Sequence, residues 1–300
     1  MSWQAPASDG SSPRWSVVIP AHNCADLLVP CLQGVLGQLA HRGDAEIVVV
    51  DDGSTDDPAS VVQRLGAGRV RLVRNETALG AVPNFNRCLH EARGEYIHLL
   101  HGDDVVLPGF YEAMDEALAD PGVSAAFCRT QHIDQNGTPL AVTRSYVPGG
   151  GVWTDALHKL ASSNRVAAPS IVVKASTYAS VGGFDEALPH AADWDMWARA
   201  ATAGDVHFVD RVLAQYRVHP GNDTSKRLRT GANMEERYRA MEHMLSRVPA
   251  ADRTALRRQG AALGAVYAAR QTLRQLRQGD LRTAGVQARW VARSLRRVVG

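Results

Sequence analysis

The stretch Ile47-Val48-Val49-Val50-Asp51-Asp52-Gly53-Ser54-Thr55-Asp56 constrains the fold more than any other part of the chain. Four β-branched residues in a row read as a strand buried on both faces, the habit of a parallel sheet. The strand then ends in carboxylates, a glycine and two hydroxyls. In open α/β sheets, ligands bind in the crevice outside the carboxyl ends of the strands. An upstream segment follows the same plan: Trp15-Ser16-Val17-Val18-Ile19 is mostly apolar, and Pro20-Ala21-His22-Asn23 turns the chain. Taken singly, each turn also reads as a simple cap for the next helix. Two of them at neighbouring strand ends point to one shared crevice.

The pattern continues. Strands are expected over 16–19, 46–50, 70–73, 96–100 and 123–127, and helices over 25–39, 58–65, 81–92 and 108–119, with Pro58 and Pro108 in the first turns of their helices. Such alternation predicts an α/β fold, a mainly parallel sheet flanked by helices. Over 129–151 the sequence turns loop-like, with a hairpin signal at Asn136-Gly137. A helix over 154–162, a strand over 170–173, a helix over 193–203 and strands over 207–209 and 213–218 follow. After about Lys226 the chain reads as helix to its end, broken at Pro249 and Gly279-Asp280, a texture that suits two helical hairpins.

Composition limits the classes of function. No run of about 18 apolar residues exists, which disfavours a spanning helix. Residues 1–13 are rich in Ser, Pro and Gly without a basic-then-apolar signal pattern, and are expected to form a disordered leader. The four cysteines, Cys24, Cys31, Cys88 and Cys128, lack metal-ligand spacing and read as buried thiols of a reducing cytoplasm. Charge is unevenly spread: Lys226 to Gly300 holds 17 of the 33 basic residues and only 5 of the 31 acidic ones. An acidic body thus carries a basic tail. The tail leaves three readings open: ordinary packing with a solvated basic face, which is favoured, an anionic membrane surface, or a homodimer interface.

Three further clusters carry chemistry. His101-Gly102-Asp103-Asp104 follows the apolar run over 96–100. Adjacent carboxylates repel unless something positive lies between them. Hard oxygen ligands suit Mg²⁺ or Mn²⁺, which can offset charge on a departing phosphate. In Ala192-Asp193-Trp194-Asp195-Met196-Trp197 the two aspartates stand two apart at a helix start and cannot share a face. One can face a crevice and accept a hydroxyl proton while the other caps or pairs elsewhere. Tyr216-Arg217-Val218-His219 alternates a guanidinium and an imidazole along a strand, suited to clamp a diphosphate or complete a metal shell. Helix caps and core tryptophans explain each cluster when it stands alone.

With Ala92-Arg93-Gly94-Glu95-Tyr96-Ile97 and Gly182-Gly183-Phe184-Asp185, these pieces stand in the order found in the inverting family 2 nucleotide-sugar glycosyltransferases, which the chain resembles over 14–225. The resemblance implies a GT-A type, Rossmann-like domain over 14–225 and a basic helical extension over 226–300. It implies that Pro20, Ala21, Asn23 and Asp52 meet the nucleotide, that Asp103 ligates the metal with Asp104 beside it, and that Asp193 is the general base. His219 would approach the metal or diphosphate. Arg74, Asn84, Asn86 and Arg217 would lie near the donor. The implied partners are Mn²⁺ or Mg²⁺, a UDP- or dTDP-sugar, and an acceptor glycan, glycolipid or small molecule. No nucleic acid is implied, and the location would be cytoplasmic or peripheral at the inner face of the membrane.

Two positions depart from the family pattern. Its Asp-x-Asp stands here as His101-Gly102-Asp103, so the first carboxylate is replaced, which should weaken a metal site or make it lean on the donor's phosphates. Ala192 stands where a glutamate often precedes the base. A sugar-phosphate nucleotidyltransferase is disfavoured because no Gly-rich basic loop lies near the N-terminus, and a dehydrogenase because no G-x-G-x-x-G follows the first strand. A non-catalytic nucleotide-sugar binding protein is kept open by the altered Asp-x-Asp.

Overall fold

The computed structural model describes residues 12–219, 221 and 223–299, and these divide into two compact units. The first runs to Thr154 and takes in Val166–Glu186 and Ala200–Arg217. The second holds Asp155–Arg165, Ala187–Arg199 and the chain from Val218 on. The division is therefore interleaved, where the sequence suggests one boundary near 225. Of the leader expected over 1–13, all but Ser12 and Pro13 lie outside the described residues.

The first unit is built on one ten-stranded sheet. Its strands are β1 Trp15–Ala21, β2 Ala45–Asp51, β3 Val70–Arg74, β4 Tyr96–Leu99, β5 Val105–Val106, β6 Val123–Ile133, β7 Pro139–Val142, β8 Gly151–Val152, β9 Ile171–Lys174 and β10 Asp205–Arg217. Their order is β3-β2-β1-β4-β9-β6-β10-β5, with β7 on β6 and β8 on β10. The run from β3 to β4 is parallel throughout, as is the long β6–β10 pair, while β9 enters antiparallel between β4 and β6. The helices in chain order are α1 Ala25–Leu39, α2 Pro58–Gly66, α3 Ala81–Glu91, α4 Phe110–Leu118, α5 Ala156–Ser162, α6 Ala175–Val181, α7 Ala192–Ala203, α8 Asp223–Thr230, α9 Ala232–Leu245, α10 Ala250–Arg277 and α11 Leu281–Val299.

All seven residues of β1 are buried, as expected for a central strand covered on both faces. Trp15, Val17 and Ile19 join Leu28 and Leu32 of α1, Val49 of β2 and Phe110 and Met114 of α4 in one apolar core. Pro58 opens α2 at its first turn, and Asp57 caps it by accepting the Ser60 N–H at 3.0 Å. Pro108 does not behave likewise. Gly109 adopts φ +83°, which no L residue takes cheaply, so α4 starts at Phe110, whose N–H goes to Gln38 Oε1 at 3.0 Å. The two strands expected over 207–218 are one strand, β10, whose register shifts between Val209 and Val212. The irregularity falls at Asp210 and Arg211, and Leu213 and Ala214 are buried beyond it.

In the second unit the breaks at Pro249 and Gly279 fall where the sequence puts them. A further break at Gly231, with φ +83°, separates α8 from α9. α10 and α11 form an antiparallel hairpin. α10 approaches α9 closely at two glycines one turn apart: a Cβ on Gly260 would strike Met241 Sδ, and one on Gly264 would lie 2.6 Å from Tyr238 Oη. No helix among the described residues is long and apolar enough to cross a membrane.

The Ala-Arg-Gly-Glu stretch before β4 has a steric cause. Ser16 Oγ accepts the N–H groups of Arg93 at 3.0 Å and Gly94 at 2.7 Å, drawing this turn onto β1. A Cβ on Gly94 would then sit 2.6 Å from Ser16 N and Trp15 C. The glycine is needed for space, not for an unusual backbone angle. Gly94→Ala should destabilise the fold by about 1–3 kcal/mol through overpacking, read as a lower urea midpoint with an unchanged m-value.

Candidate active site

The sheet order reverses at β1, which has β2 on one side and β4 on the other, so a crevice opens beyond their carboxyl ends. Three turns interlock there. Asp52 N–H donates to Ala21 C=O at 2.8 Å, and Gly102 N–H donates to Pro20 C=O at 3.1 Å. Asn23, at φ +51°, accepts the Thr55 N–H and Oγ1–H on its Oδ1 at 2.8 and 3.0 Å, and its own N–H goes to Ser54 Oγ. Pro20 and Ala21 are buried beside it, while Asn23 is exposed. Asp56 Oδ2 accepts the first N–H of α1, from Ala25, at 2.7 Å. The strand-end polar residues thus cap and brace, and together they fix the crevice floor.

Asp52 is 3% exposed and does more than edge the crevice. Its Oδ1 accepts the N–H of Leu79 at 2.7 Å and Nδ2–H of Asn75 at 2.9 Å, and its Oδ2 accepts the N–H of Gly80 at 2.9 Å. A carboxylate offers about four acceptor positions, and three are taken. Gly53 lets the same loop come close, since a Cβ there would lie 2.9 Å from Ala78 N. Asn75 Nδ2 also donates to Asn84 Oδ1 at 2.9 Å, and Asn84 Nδ2 donates to Val50 C=O at 3.2 Å. Asn84, expected near the donor, is a buried brace between the 75–80 loop and β2. Arg74 is exposed at the rim, donating to Ser54 C=O at 2.8 Å and standing 3.4 Å from Asp51 Oδ2.

At the end of β4, ligand atoms of His101, Asp103 and Asp104 all lie within 4.8 Å of one another. Asp104 is buried. Its Oδ1 accepts the Arg217 N–H at 2.8 Å, and its Oδ2 has no hydrogen-bond partner, with His101 Nδ1 3.9 Å away. Burial, with the neighbouring Asp103 carboxylate adding to it, pushes the Asp104 carboxyl well above the ordinary carboxylate range. A buried oxygen without a donor, beside a second carboxylate and an imidazole, fits a cation. The His101 ring is held by stacking on Phe85, with centroids 4.9 Å apart and planes at 16°, and Phe85 in turn meets Phe184 edge-on. His101, read from sequence only as a missing carboxylate, thus joins the group as a nitrogen donor.

Arg217, expected near the donor diphosphate, braces the main chain around the acidic turn. It is buried, and its guanidinium donates to the main-chain carbonyls of Asp103 at 2.9 Å and of Asp134 and Gln135 at 3.2 Å each. It ties the acidic turn to the hairpin after β6. Asn86 likewise clamps the Gly-Gly-Phe turn: its Oδ1 accepts the Phe184 N–H at 2.7 Å and its Nδ2 donates to Phe184 C=O at 3.0 Å. A Cβ on Gly183 would lie 2.6 Å from Asn86 Oδ1, so a larger residue there would push against this clamp.

The third acidic cluster belongs to the second unit, as does His219. Asp193 is half-buried in the first turn of α7, and its Oδ1 accepts the Trp194 N–H at 2.7 Å. Asp195, fully buried, turns away: it meets Arg199 Nε at 2.7 Å, His243 Nδ1 at 3.2 Å and Arg247 at 3.6 Å. The split between the two aspartates follows the helical spacing. The approach to α7 is held by Glu236 of α9, whose Oε1 accepts the N–H of His190 and, at 2.8 Å, of Ala191, while Oε2 pairs with Arg227 at 3.3 Å. No local signal marks this hold on α7, because the His190 and Ala191 N–H groups lie some 45 residues from Glu236 in the chain.

This fold and this arrangement of strand ends are of the GT-A type. The sequence model described as glycosyl transferase family 2 matches residues 16–178. A protein of uncharacterised role from Mycobacterium tuberculosis is 30% identical over 246 residues, covering 78% of this chain and 76% of that protein. The chain belongs to glycosyl transferase family 2 and is a sugar-transferring enzyme. A chondroitin synthase of Escherichia coli is 26% identical over 239 residues, 79% of this chain but 33% of the synthase, so the chain spans a third of that relative. Two solved structures share the fold at lower identity. One is S. aureus TarS 1–349 in complex with UDP-GlcNAc, with a TM-score of 0.59, 16% identity, and 91% and 90% of the two chains covered. The other is the mannosyltransferase PcManGT of Pyrobaculum calidifontis in complex with GDP-Man and Mn²⁺, with a TM-score of 0.58, 20% identity, and 100% and 90% covered.

Two substitutions check these assignments. Asp52→Ala should strip the acceptors from Leu79 and Gly80 and speed amide exchange over 76–80 by about tenfold or more; unchanged protection in exchange mass spectrometry would refute the latch. Glu236→Ala should raise exchange over 190–195 and cost about 1–3 kcal/mol in urea unfolding, whereas Glu236→Gln, which keeps an acceptor oxygen, should cost less.

Proposed function

We propose that the enzyme moves a sugar from a UDP- or dTDP-linked donor to an acceptor hydroxyl by a single in-line displacement that inverts the anomeric carbon. The observation that carries this reading is the His101, Asp103 and Asp104 group at the β4 end, with its buried, donorless Asp104 oxygen. Asp103 is the principal metal ligand, joined by His101 and Asp104, and His219 is a further candidate for the metal or diphosphate. Mn²⁺ or Mg²⁺ bound there supplies positive charge that offsets the charge growing on a departing diphosphate. Relatives caught with UDP-GlcNAc and with GDP-Man and Mn²⁺ support a nucleoside-diphosphate sugar and a divalent cation as partners.

The chain's own residues take these roles. Pro20, Ala21 and Asn23 form a pre-braced edge for the nucleoside, and Asp52 serves the base with its remaining acceptor position while holding the 75–80 loop. Arg74 provides a rim cation. Asn84 and Arg217 act through others, as braces of the loop and of the acidic turn. Asp193 accepts the acceptor's hydroxyl proton as the new C–O bond forms, and the proton stays on that carboxyl while the anomeric C–O bond to the diphosphate breaks and its electron pair departs with the diphosphate. The acceptor is a glycan, a glycolipid or a small molecule.

The test pairs binding with turnover. UDP, dTDP and GDP are compared by calorimetry with and without Mn²⁺, the expected order placing UDP or dTDP with Mn²⁺ first. Asp193→Asn should reduce transfer by about 10²–10⁴-fold while donor affinity stays within about twofold. Transfer near the parent rate in that variant would remove Asp193 as the base.

A further inference from the structure

The outer face of the C-terminal hairpin carries a pattern that sugar transfer does not use. On α11, Thr283, Ala284, Gln287, Trp290 and Ser294 are buried, so the helix has a clear inner side. On its exposed surface Leu281, Leu295 and Val299 are 71%, 53% and 84% exposed, with exposed Ala288 and Ala292 between them at helical spacing. Arg282, Arg289 and Arg296 are exposed along one flank of this stripe. α10 repeats the arrangement near the hairpin tip, where Leu273 and Leu276 are 56% and 48% exposed among the exposed Arg270, Arg274 and Arg277. From Arg253 to Val299 the chain holds eleven arginines and a single acid, Asp280. That acid is engaged at the start of α11, accepting the N–H and hydroxyl of Thr283 at 2.9 and 2.6 Å.

An exposed apolar stripe flanked by cations marks an interaction face. We propose that the α10–α11 hairpin is a peripheral membrane-binding element that lies on an anionic phospholipid bilayer, its leucines and Val299 among the acyl chains and its arginines among the headgroup phosphates. Charge complementarity selects this occupant. An antiparallel two-fold pairing of the same face with a second copy would bring arginine flank against arginine flank, and a parallel one would set the arginines against the partner's apolar side; neither offers them an acid. Nucleic acid would satisfy the arginines and leave the leucines in water. An anionic bilayer satisfies both.

The test uses the full chain and sedimentation with phosphatidylcholine vesicles, with or without about 30% phosphatidylglycerol, at low and high salt. Binding is expected to the anionic vesicles, at least about tenfold tighter than to the neutral ones, and to weaken at high salt. The triple variant Arg282→Gln, Arg289→Gln, Arg296→Gln should bind about a hundredfold more weakly, roughly fivefold per arginine. Leu281→Gln with Leu295→Gln should weaken binding about tenfold while keeping its salt dependence. All these changes are at exposed positions, and circular dichroism with urea unfolding checks that each variant is folded. The proposal is overturned by equal binding to neutral and anionic vesicles, by no vesicle binding, or by a leucine-dependent dimer or a nucleic-acid complex formed in place of vesicle binding.

Discussion

The first unit depends on β1 being paired in parallel on both sides, to β2 and to β4. Parallel pairing aligns the carboxyl ends of all three strands, and three polar turns leave the sheet at one edge. The pairing runs past the strands into the turns, where Asp52 N–H reaches Ala21 and Gly102 N–H reaches Pro20. It is anchored at the other end by Ser16 Oγ, which gathers the turn before β4. A one-residue slip in either pair would turn every side chain of that strand to the wrong face.

Buried carboxylates at that edge divide into two kinds. Asp52 is satisfied by main-chain N–H groups and an amide, so its charge organises a loop. Asp104 is satisfied on one oxygen only, and burial penalises its charge. The first kind builds the crevice, and the second leaves it poised for a cation. Arg217 shows how little charge alone decides: a buried guanidinium surrounded by acids hydrogen-bonds three carbonyls and holds two turns together. In the second unit Glu236 and Asp195 are likewise held by main chain and cations, while Asp193 is half-buried and accepts the Trp194 N–H.

What was legible from the chain followed from local chemistry. β-branched runs gave the parallel strands, Asn136-Gly137 the hairpin, and Pro249 and Gly279 the breaks between helices, because each rests on a residue's own backbone preference. The Asp193 and Asp195 split was legible too, since helical spacing alone separates them. What was not legible rests on contacts between distant positions. Asn84 and Asn86 look like ligand-lining amides until Asn75 and Phe184 are seen on them. Pro108 looks like a helix start until Gly109 takes a left-handed turn.

By itself the sequence determined an α/β sheet with acidic strand ends, an order of motifs that places the chain in its family, and a basic helical tail. Those properties follow from periodicity, turn chemistry and charge, which are carried by neighbours along the chain. Only the tertiary structure decided which polar groups are spent on the fold and which are left for chemistry. It interleaved segments 155–165 and 187–199 with the tail helices, stacked His101 on Phe85, and left the α11 stripe uncovered among the described residues. The reason is the same each time: a side chain's task is set by what it is packed against, and those partners come from far along the chain.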